Sequence, residues 1–166
     1  AVKTSSTIER DGSEATNGHA TLEVTESLNE CYVRIYMVVI QNGVTEKFPL
    51  ATVLAQTPGN DFDGKIAIMS VDAYMPLVEL KETLPPYGFT VMKNANIMEN
   101  ACKNIQEHMR APLIVTKSKK TLVENFVSNT DDTWLSFNSD LIAKADFSFS
   151  TDEMGTVTFS PKRELE

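Results

Sequence analysis

The stretch Gly59–Lys65 has the glycine and lysine spacing of a phosphate-binding loop, in which backbone N–H groups and a lysine hold the phosphates of a nucleotide. Three features argue against that chemistry. Ile66 stands where the motif needs a Ser or Thr hydroxyl for magnesium, and Ile66–Val71 has the apolar pattern of a strand where the motif needs a helix. Asp61 and Asp63 would also repel the phosphates. We therefore predict a surface turn here.

The same stretch is similar to a calcium-binding loop, because two aspartates precede a glycine. If Gly64 takes the sixth position of such a loop, Gly59 falls first and Ser70 falls last, so the bidentate glutamate that completes the site is missing. A weak ion site stays open as an alternative to the surface turn.

Histidine chemistry has few candidates, because the chain contains only His19 and His108. Neither has a partner at the spacing of zinc ligands, and a Ser–His–Asp arrangement would depend on one of them. Asp131 and Asp132 have the residue types for acid–base chemistry, but adjacent acids before Trp134 are more typical of a solvated turn. We predict no metal, no cofactor and no catalytic residues.

The cysteines and the apolar runs bear on the cellular compartment. Cys31 and Cys102 each lie on an apparent core face, which favours two buried thiols, although a disulfide between them stays open. The longest apolar run, Tyr36–Ile40, has the length of a strand and falls far short of the ~20 residues of a transmembrane helix. Residues 1–20 are polar, unlike a secretory signal. We predict a soluble protein of the cytoplasm or of a virus particle, with no membrane partner.

Charge is distributed unevenly along a chain whose net charge is −8. Residues 93–120 hold six basic and two acidic residues, a local charge of +4, so the remainder carries −12. The basic residues could contact nucleic acid or a protein partner, or they could be an ordinary solvated helix surface. Trp134 and Phe137 could stack on bases, although a place in the core is the simpler interpretation. The candidate contact residues are Lys93, Lys103, Arg110, Lys117, Lys119 and Lys120.

Apolar patterns predict most of the strands. Residues 1–19 are polar and aperiodic and are predicted to be a flexible arm, whereas a half-buried strand starts at Ala20. Cys31–Ile40 is β-branched and aromatic, as is typical of a central strand, and Asn42–Gly43 forms a two-residue hairpin turn into the return strand Val44–Phe48. Further along the chain we predict a helical turn at Leu50–Ala55, a strand at Ile66–Val71, and a hairpin whose strands are Ala143–Phe149 and Val157–Phe159.

Helical periodicity is clearest over Ile97–Arg110. Asn96, with Glu99 three residues later, resembles a capping box, and one face of the helix carries an apolar stripe. The stripe consists of Met98, Cys102, Ile105 and Met109. Two further helices are predicted over Met75–Leu84 and Lys119–Val127.

Two stretches of the chain resemble a known family. In Tyr32–Ala55 a strand, a glycine turn and a return strand lead to a proline, and in Leu80–His108 the pair Tyr87–Gly88 and then Val91 precede a helix. Together they resemble the region before the motor domain in helicase-like replication proteins of bacterial mobile elements. The chain lacks that family's ATPase motor, and Thr133–Trp134 only approximates the Gly-Trp step expected near the end. The resemblance implies a role beside a nucleic-acid motor and carries over no catalytic residues.

The predicted elements combine into an α+β fold with a mainly antiparallel sheet, two or three packed helices, a flexible arm over 1–19 and a single globular domain over 20–166. The sheet is expected to join the hairpins Cys31–Phe48 and Ala143–Phe159, with the Ile97–Arg110 helix packed across it. The last strand is expected to be an edge that is open to strand addition. The candidate edge residues are Thr156, Val157, Thr158 and Phe159.

Two functions are consistent with these features. The first is a non-enzymatic assembly or protein-binding module that associates with copies of itself or with another protein, such as a structural subunit of a viral, phage or other homomeric assembly. The arm, the segregated charge and the edge strand favour this interpretation. The alternative is an accessory domain of a mobile-element or phage replication protein that contacts nucleic acid through residues 93–120.

Overall fold

The computed structural model describes residues 6–25, 28–62 and 67–162, and the chain divides into two compact units. The first unit is Ala1–Pro76 with Asp152–Gly155, and the second is Leu77–Thr151 with Thr156–Glu166. The predicted single domain over 20–166 stays a prediction. The α+β class with a mainly antiparallel sheet is confirmed.

The first unit is built on a sheet of antiparallel strands. They are β1 (Thr7–Glu9), β2 (His19–Val24), β3 (Cys31–Gln41), β4 (Val44–Phe62) and β5 (Ala67–Tyr74), in the spatial order β1-β2-β5-β4-β3. One apolar cluster gathers side chains from β2, β4 and β5, and its burial stabilises the sheet by about 25 cal/mol for each Å² of apolar surface removed from water. The buried members are Ala20, Leu22, Ala51, Val53, Ala55, Val71, Ala73 and Met75.

The amino-terminal segment takes part in this sheet. Thr7 pairs with Thr21 across the antiparallel β1–β2 ladder, and Ile8 packs against the apolar cluster. The predicted arm over 1–19 is thus corrected for residues 7–9, while residues 1–5 lie outside the described residues. The physical reason is that the edge of β2 offers backbone hydrogen-bond partners. The hydrogen bonds to β2 offset the conformational entropy that this short polar segment loses when it becomes ordered.

The predicted hairpin of β3 and β4 is confirmed. The register pairs Gln41 with Val44, so the loop consists of the two residues Asn42 and Gly43. Both have positive φ, +51° and +78°, as the tight turn of a twisted hairpin requires.

Strand β4 is much longer than predicted, and the predicted helical turn at Leu50–Ala55 is wrong. These residues continue the strand beyond Pro49, which lies at a register shift beside Tyr36 where a missing N–H is tolerated. The local sequence suits a helix or a strand, and tertiary burial decides between them. As a strand, β4 places Ala51 and Val53 in the apolar cluster.

The second unit contains helices and two small antiparallel ribbons. In the described part of the chain these are α1 (Val78–Lys81), β6 (Thr90–Val91) paired with β7 (Phe126–Val127), α2 (Ile97–His108), α3 (Trp134–Ala143), and β8 (Phe147–Thr151) paired with β9 (Val157–Pro161). The terminal hairpin is confirmed as β8–β9, but it does not join the sheet of β3 and β4. Helix α2 packs against α3 and α1, so the predicted packing across one joint sheet is wrong.

Helix α2 agrees with its sequence pattern. The Asn96 side chain accepts a hydrogen bond from the Glu99 N–H at 3.0 Å, as a helix cap should. The predicted stripe is buried, with no member more than 7% exposed: Met98, Cys102, Ile105 and Met109. None of the helices in the described residues is long and apolar enough to cross a membrane.

The other helix predictions need correction. The helix predicted over Met75–Leu84 is reduced to α1, and the helix predicted over Lys119–Val127 is absent. Instead, the chain there pairs with the segment before α2, where the Leu122 N–H donates to the Ala95 carbonyl at 3.0 Å. Helix α3 was not predicted, because its cap pairs Thr133 with Ser136 and lacks the glutamate of the usual pattern.

Candidate interaction surface

The end of the β3–β4 hairpin exposes large apolar side chains of the kind that a folded domain ordinarily buries. Eight of them within residues 36–50, hereafter the apolar arm, are between 38% and 73% exposed. Exposed apolar surface of this extent typically marks contact with another molecule. The eight are Tyr36, Met37, Val38, Val39, Ile40, Val44, Phe48 and Leu50.

The apolar arm extends beyond the rest of the sheet. Strand β3 lies at the edge of the sheet, and in the described residues β4 pairs with β5 only from Leu54 onward. The arm is therefore a two-stranded ribbon whose six residue pairs span about 20 Å, at ~3.3 Å for each pair. Such a ribbon is marginally stable in water by itself, so a neighbouring surface would stabilise it.

Side chains of the apolar arm alternate between two faces. Each face is mainly apolar and carries one charge and one uncharged polar side chain, which is Gln41 on one face and Thr45 on the other. Val39 lies opposite Glu46 in the ladder, so the two share one face, whereas Val38 lies opposite Lys47 on the other. We call these surfaces the Glu46 face and the Lys47 face. The Glu46 face also carries Met37, Val44 and Phe48, and the Lys47 face also carries Tyr36 and Ile40. A shallow concavity is lined by Val39, Gln41, Asn42, Val44 and Glu46.

The sequence predicted the strand in this arm but not its exposure. The pattern of Cys31–Ile40 is typical of a central strand, whereas the structure places it at the edge of the sheet. The available signal was the unbroken run Tyr36–Ile40, because a strand that is apolar at successive positions requires cover on both faces. A sequence pattern cannot distinguish cover by the same chain from cover by another molecule.

The six basic residues predicted as contacts do not share a helical surface. Residues 117–122 lie outside the helices, and the backbone of Lys120 and Leu122 pairs with the segment at the start of α2. Arg110 pairs with Glu79, whose carboxylate also accepts the backbone N–H of Arg110 at 2.8 Å, and Lys120 pairs with Asp146. Two of the six charges are therefore balanced by carboxylates of the same unit. The other four side chains are exposed: Lys93, Lys103, Lys117 and Lys119.

The predicted edge Thr156–Phe159 lies in β9, and one of its positions is already paired. The Val157 N–H donates to the Pro112 carbonyl at 2.9 Å, and the Val157 carbonyl accepts from the Ile114 N–H at 2.9 Å. Strand addition at Val157 would require these bonds to break, so β9 offers less open edge than predicted. Its use in self-association stays a prediction.

Two aromatic residues considered for base stacking belong to the core of the second unit. Trp134 is 2% exposed and Phe137 is 0% exposed, which confirms the core interpretation. The Trp134 ring stacks on His108 with centroids 4.2 Å apart, so this histidine is a packing residue.

The remaining candidates for chemistry are dispersed. His19 lies 3.7 Å from Glu9 and 3.6 Å from Glu14. Cys31 and Cys102 are both free thiols, and burial raises the pKa of the Cys102 thiol. Across the described ranges, no group of three or more His, Cys, Asp or Glu side chains is placed to hold a metal ion.

The stretch compared with phosphate and calcium loops is only partly described. The backbone of Gly59–Phe62 lies in β4 and pairs with β5. Residues 63–66, which include Asp63 and Gly64, lie outside the described residues, so the predicted surface turn and the weak ion site stay predictions.

Comparison with solved structures shows a fold shared with phage tail proteins. The 43 kDa tail protein of prophage MuSo2 from Shewanella oneidensis matches with a TM-score of 0.66 and 11% identity, over 96% of this chain and 51% of that one. The tail protein from Neisseria meningitidis MC58 matches with a TM-score of 0.65 and 12% identity, over 92% and 45%. This chain therefore spans about half the length of these tail proteins. No family model and no curated protein matches the sequence.

Proposed function

We propose that this chain is a structural subunit of a phage tail or a related particle, and that it works by associating with copies of itself through the apolar arm. The observation that carries the proposal is the exposure of eight large apolar side chains on one ribbon. The fold shared with two phage tail proteins supports the proposal that this particle is a phage tail or a related assembly. The role is one of assembly and not of catalysis.

The exposed area of the apolar arm is that of a large surface patch. Two of the eight side chains are aromatic, with ~150–250 Å² each when fully exposed, and six are smaller, so at 38–73% exposure the eight together expose roughly 500 Å². The largest apolar patch on a typical monomer covers roughly 300–600 Å² and is often functional. Each partner in a stable complex contributes roughly 800 Å². The arm therefore matches the largest patch of a typical monomer and supplies more than half of one partner's share of an interface.

The test is to make the arm polar while keeping its strand propensity. In the arm variant, Val38→Thr, Ile40→Thr and Val44→Thr replace three exposed side chains with a β-branched polar residue, which a strand accepts. We expect the unaltered chain to form assemblies whose mass rises with concentration, and the arm variant to remain monomeric. Size-exclusion chromatography with multi-angle light scattering measures both.

A matched control makes valine-to-threonine substitutions at exposed positions outside the apolar arm. Val115→Thr, Val123→Thr and Val127→Thr alter three exposed valines of the second unit, and this control variant should assemble like the unaltered chain. An unaltered chain that is monomeric at every concentration would overturn self-association. Assembly of the arm variant at the unaltered level would remove the arm from the proposal.

Deleting the amino-terminal segment is a poorer test than its sequence implied. A chain that starts at Ala20 would lose β1 and the packing of Ile8 against the apolar cluster. Loss of assembly in that chain would then have two causes that the experiment does not separate, a lost contact between copies and a less stable sheet.

A further inference from the structure

We infer that the two faces of the apolar arm bind each other, so that the Glu46 face of one copy stacks on the Lys47 face of a second copy. This inference rests on the proposed function and names the contact through which the copies associate. The binding partner of the arm is the arm of another identical chain.

The placement of charge favours this occupant. Within residues 36–50 the acidic residue is Glu46 and the basic residue is Lys47, and the β3–β4 register puts them on opposite faces. Each charge lies among apolar side chains, so a partner surface must supply both apolar area and one opposite charge. The other face of the same arm meets both requirements.

The exposed area favours cover on both faces. Each face exposes roughly 250 Å² of apolar side chain, so two contacts for each copy bury about twice the apolar area of one contact and bring the total closer to the roughly 800 Å² that one partner contributes to a stable interface. Contact through one face would also leave the other in water, including Ile40 at 73% exposure or Val44 at 59%. Stacked ribbons lie about 10 Å apart, which allows one arm to be held between two others.

A symmetric pair is disfavoured by the same charges. Two Glu46 faces in contact would bring carboxylates together, and two Lys47 faces would bring ammonium groups together. Contact between unlike faces leaves one free face on each side of every pair, so addition continues until a ring closes or a filament forms. This mode of association suits a subunit of a tubular or ring-shaped particle.

The test exchanges the two charges separately. Glu46→Lys gives an arm with lysine on both faces, and Lys47→Glu gives an arm with glutamate on both faces. Each variant alone should need at least about tenfold more protein for half-assembly, because every contact would join like charges. An equal mixture of the two should assemble at the concentration of the unaltered chain, because alternating copies restore every opposite pair.

Matched variants elsewhere on the surface control for net charge. Glu124→Lys and Lys81→Glu make the same changes at exposed positions outside the arm and should leave assembly unchanged. Circular dichroism and the urea unfolding midpoint should show that all four variants are folded. Light scattering at low ionic strength gives the concentration for half-assembly.

The outcomes separate this inference from the proposed function. An unaltered chain that never assembles overturns both. An unaltered chain that assembles while both charge variants do the same overturns the inference and leaves the proposed function standing. Charge variants that fail alone and also fail when mixed overturn the inference too, because the arm would then meet a different surface. Recovery in the mixture alone supports it.

Discussion

Gly155 lies directly against Thr52 in the first unit, so closely that a Cβ on the glycine would fall 2.8 Å from the Cβ of the threonine. The Thr52 hydroxyl donates to the Glu153 carbonyl at 3.0 Å, and the Arg34 guanidinium donates to the Met154 carbonyl at 3.2 Å. The turn at 152–155 is thus held against β3 and β4 by contacts that depend on a residue without a side chain.

Replacing this glycine should destabilise the protein more than an ordinary turn substitution. Gly155→Ala adds a methyl group in contact with Thr52 at a φ of +79°. We expect the free energy of unfolding to fall by about 3 kcal/mol, from overpacking together with left-handed backbone strain. Gly43→Ala is the matched control, because Gly43 has a φ of +78° with no atom within 4 Å, and it should cost about 1 kcal/mol. Equal losses in urea unfolding would contradict the role of the close contact.

A buried pair of asparagines should be energetically coupled. The Asn104 amide donates to the Asn138 side-chain oxygen at 3.2 Å, and the Asn138 amide donates to the Trp134 carbonyl at 2.7 Å. Asn104→Ala leaves the oxygen of a fully buried residue unpaired, which should lower the free energy of unfolding by about 1–3 kcal/mol. Asn138→Ala should cost as much or more.

The double variant distinguishes a shared hydrogen bond from two separate packing defects. Asn104→Ala combined with Asn138→Ala should cost less than the sum of the single losses, because the hydrogen bond between them can be lost only once. Urea unfolding of the four proteins gives the coupling energy. Strictly additive losses would show that the bond contributes nothing.

The buried thiol of Cys102 should make stability depend on alkaline pH. Burial raises the pKa of this thiol above its ordinary value of 9.0, so the folded state holds the proton more tightly than the unfolded chain. The resulting stabilisation is complete below about pH 9, the pKa of the unfolded chain, and is lost as pH rises through the folded pKa. The free energy of unfolding should therefore fall more steeply above about pH 9 than in Cys102→Ala. The same slope in both proteins would exclude this thiol as the cause.

The nucleic-acid alternative makes a prediction of its own. Replacing Lys119 and Lys120 with glutamate should weaken binding to nucleic acid, and binding should fall steeply as salt is raised. Because Lys120 already pairs with Asp146, most of the loss should come from Lys119. A mobility-shift assay at low salt measures the effect. If the unaltered chain forms no complex there, this alternative is removed, together with the implied role beside a nucleic-acid motor.

Features that depend on neighbouring residues in the chain could be predicted from the sequence. The turn at Asn42–Gly43 requires two positive φ angles, which asparagine and glycine adopt at low cost. The start of α2 requires a side chain at Asn96 that accepts the Glu99 N–H. Each result follows from local sterics or from one hydrogen bond within three residues, so distant contacts do not alter it.

Features that depend on distant partners were decided by the tertiary structure. Ala51–Ala55 became part of a strand because it pairs with β3 and is buried with the apolar cluster, and residues 120–122 form no helix because they pair with the segment at the start of α2. The candidate surface belongs to the same category. The apolar run Tyr36–Ile40 indicates a strand that is buried on both faces. Only the three-dimensional structure shows that this chain leaves those side chains exposed. Whether a side chain is buried depends on the packing of the whole sheet. The amino-acid sequence indicates which side chains favour burial, but it does not indicate which molecule buries them.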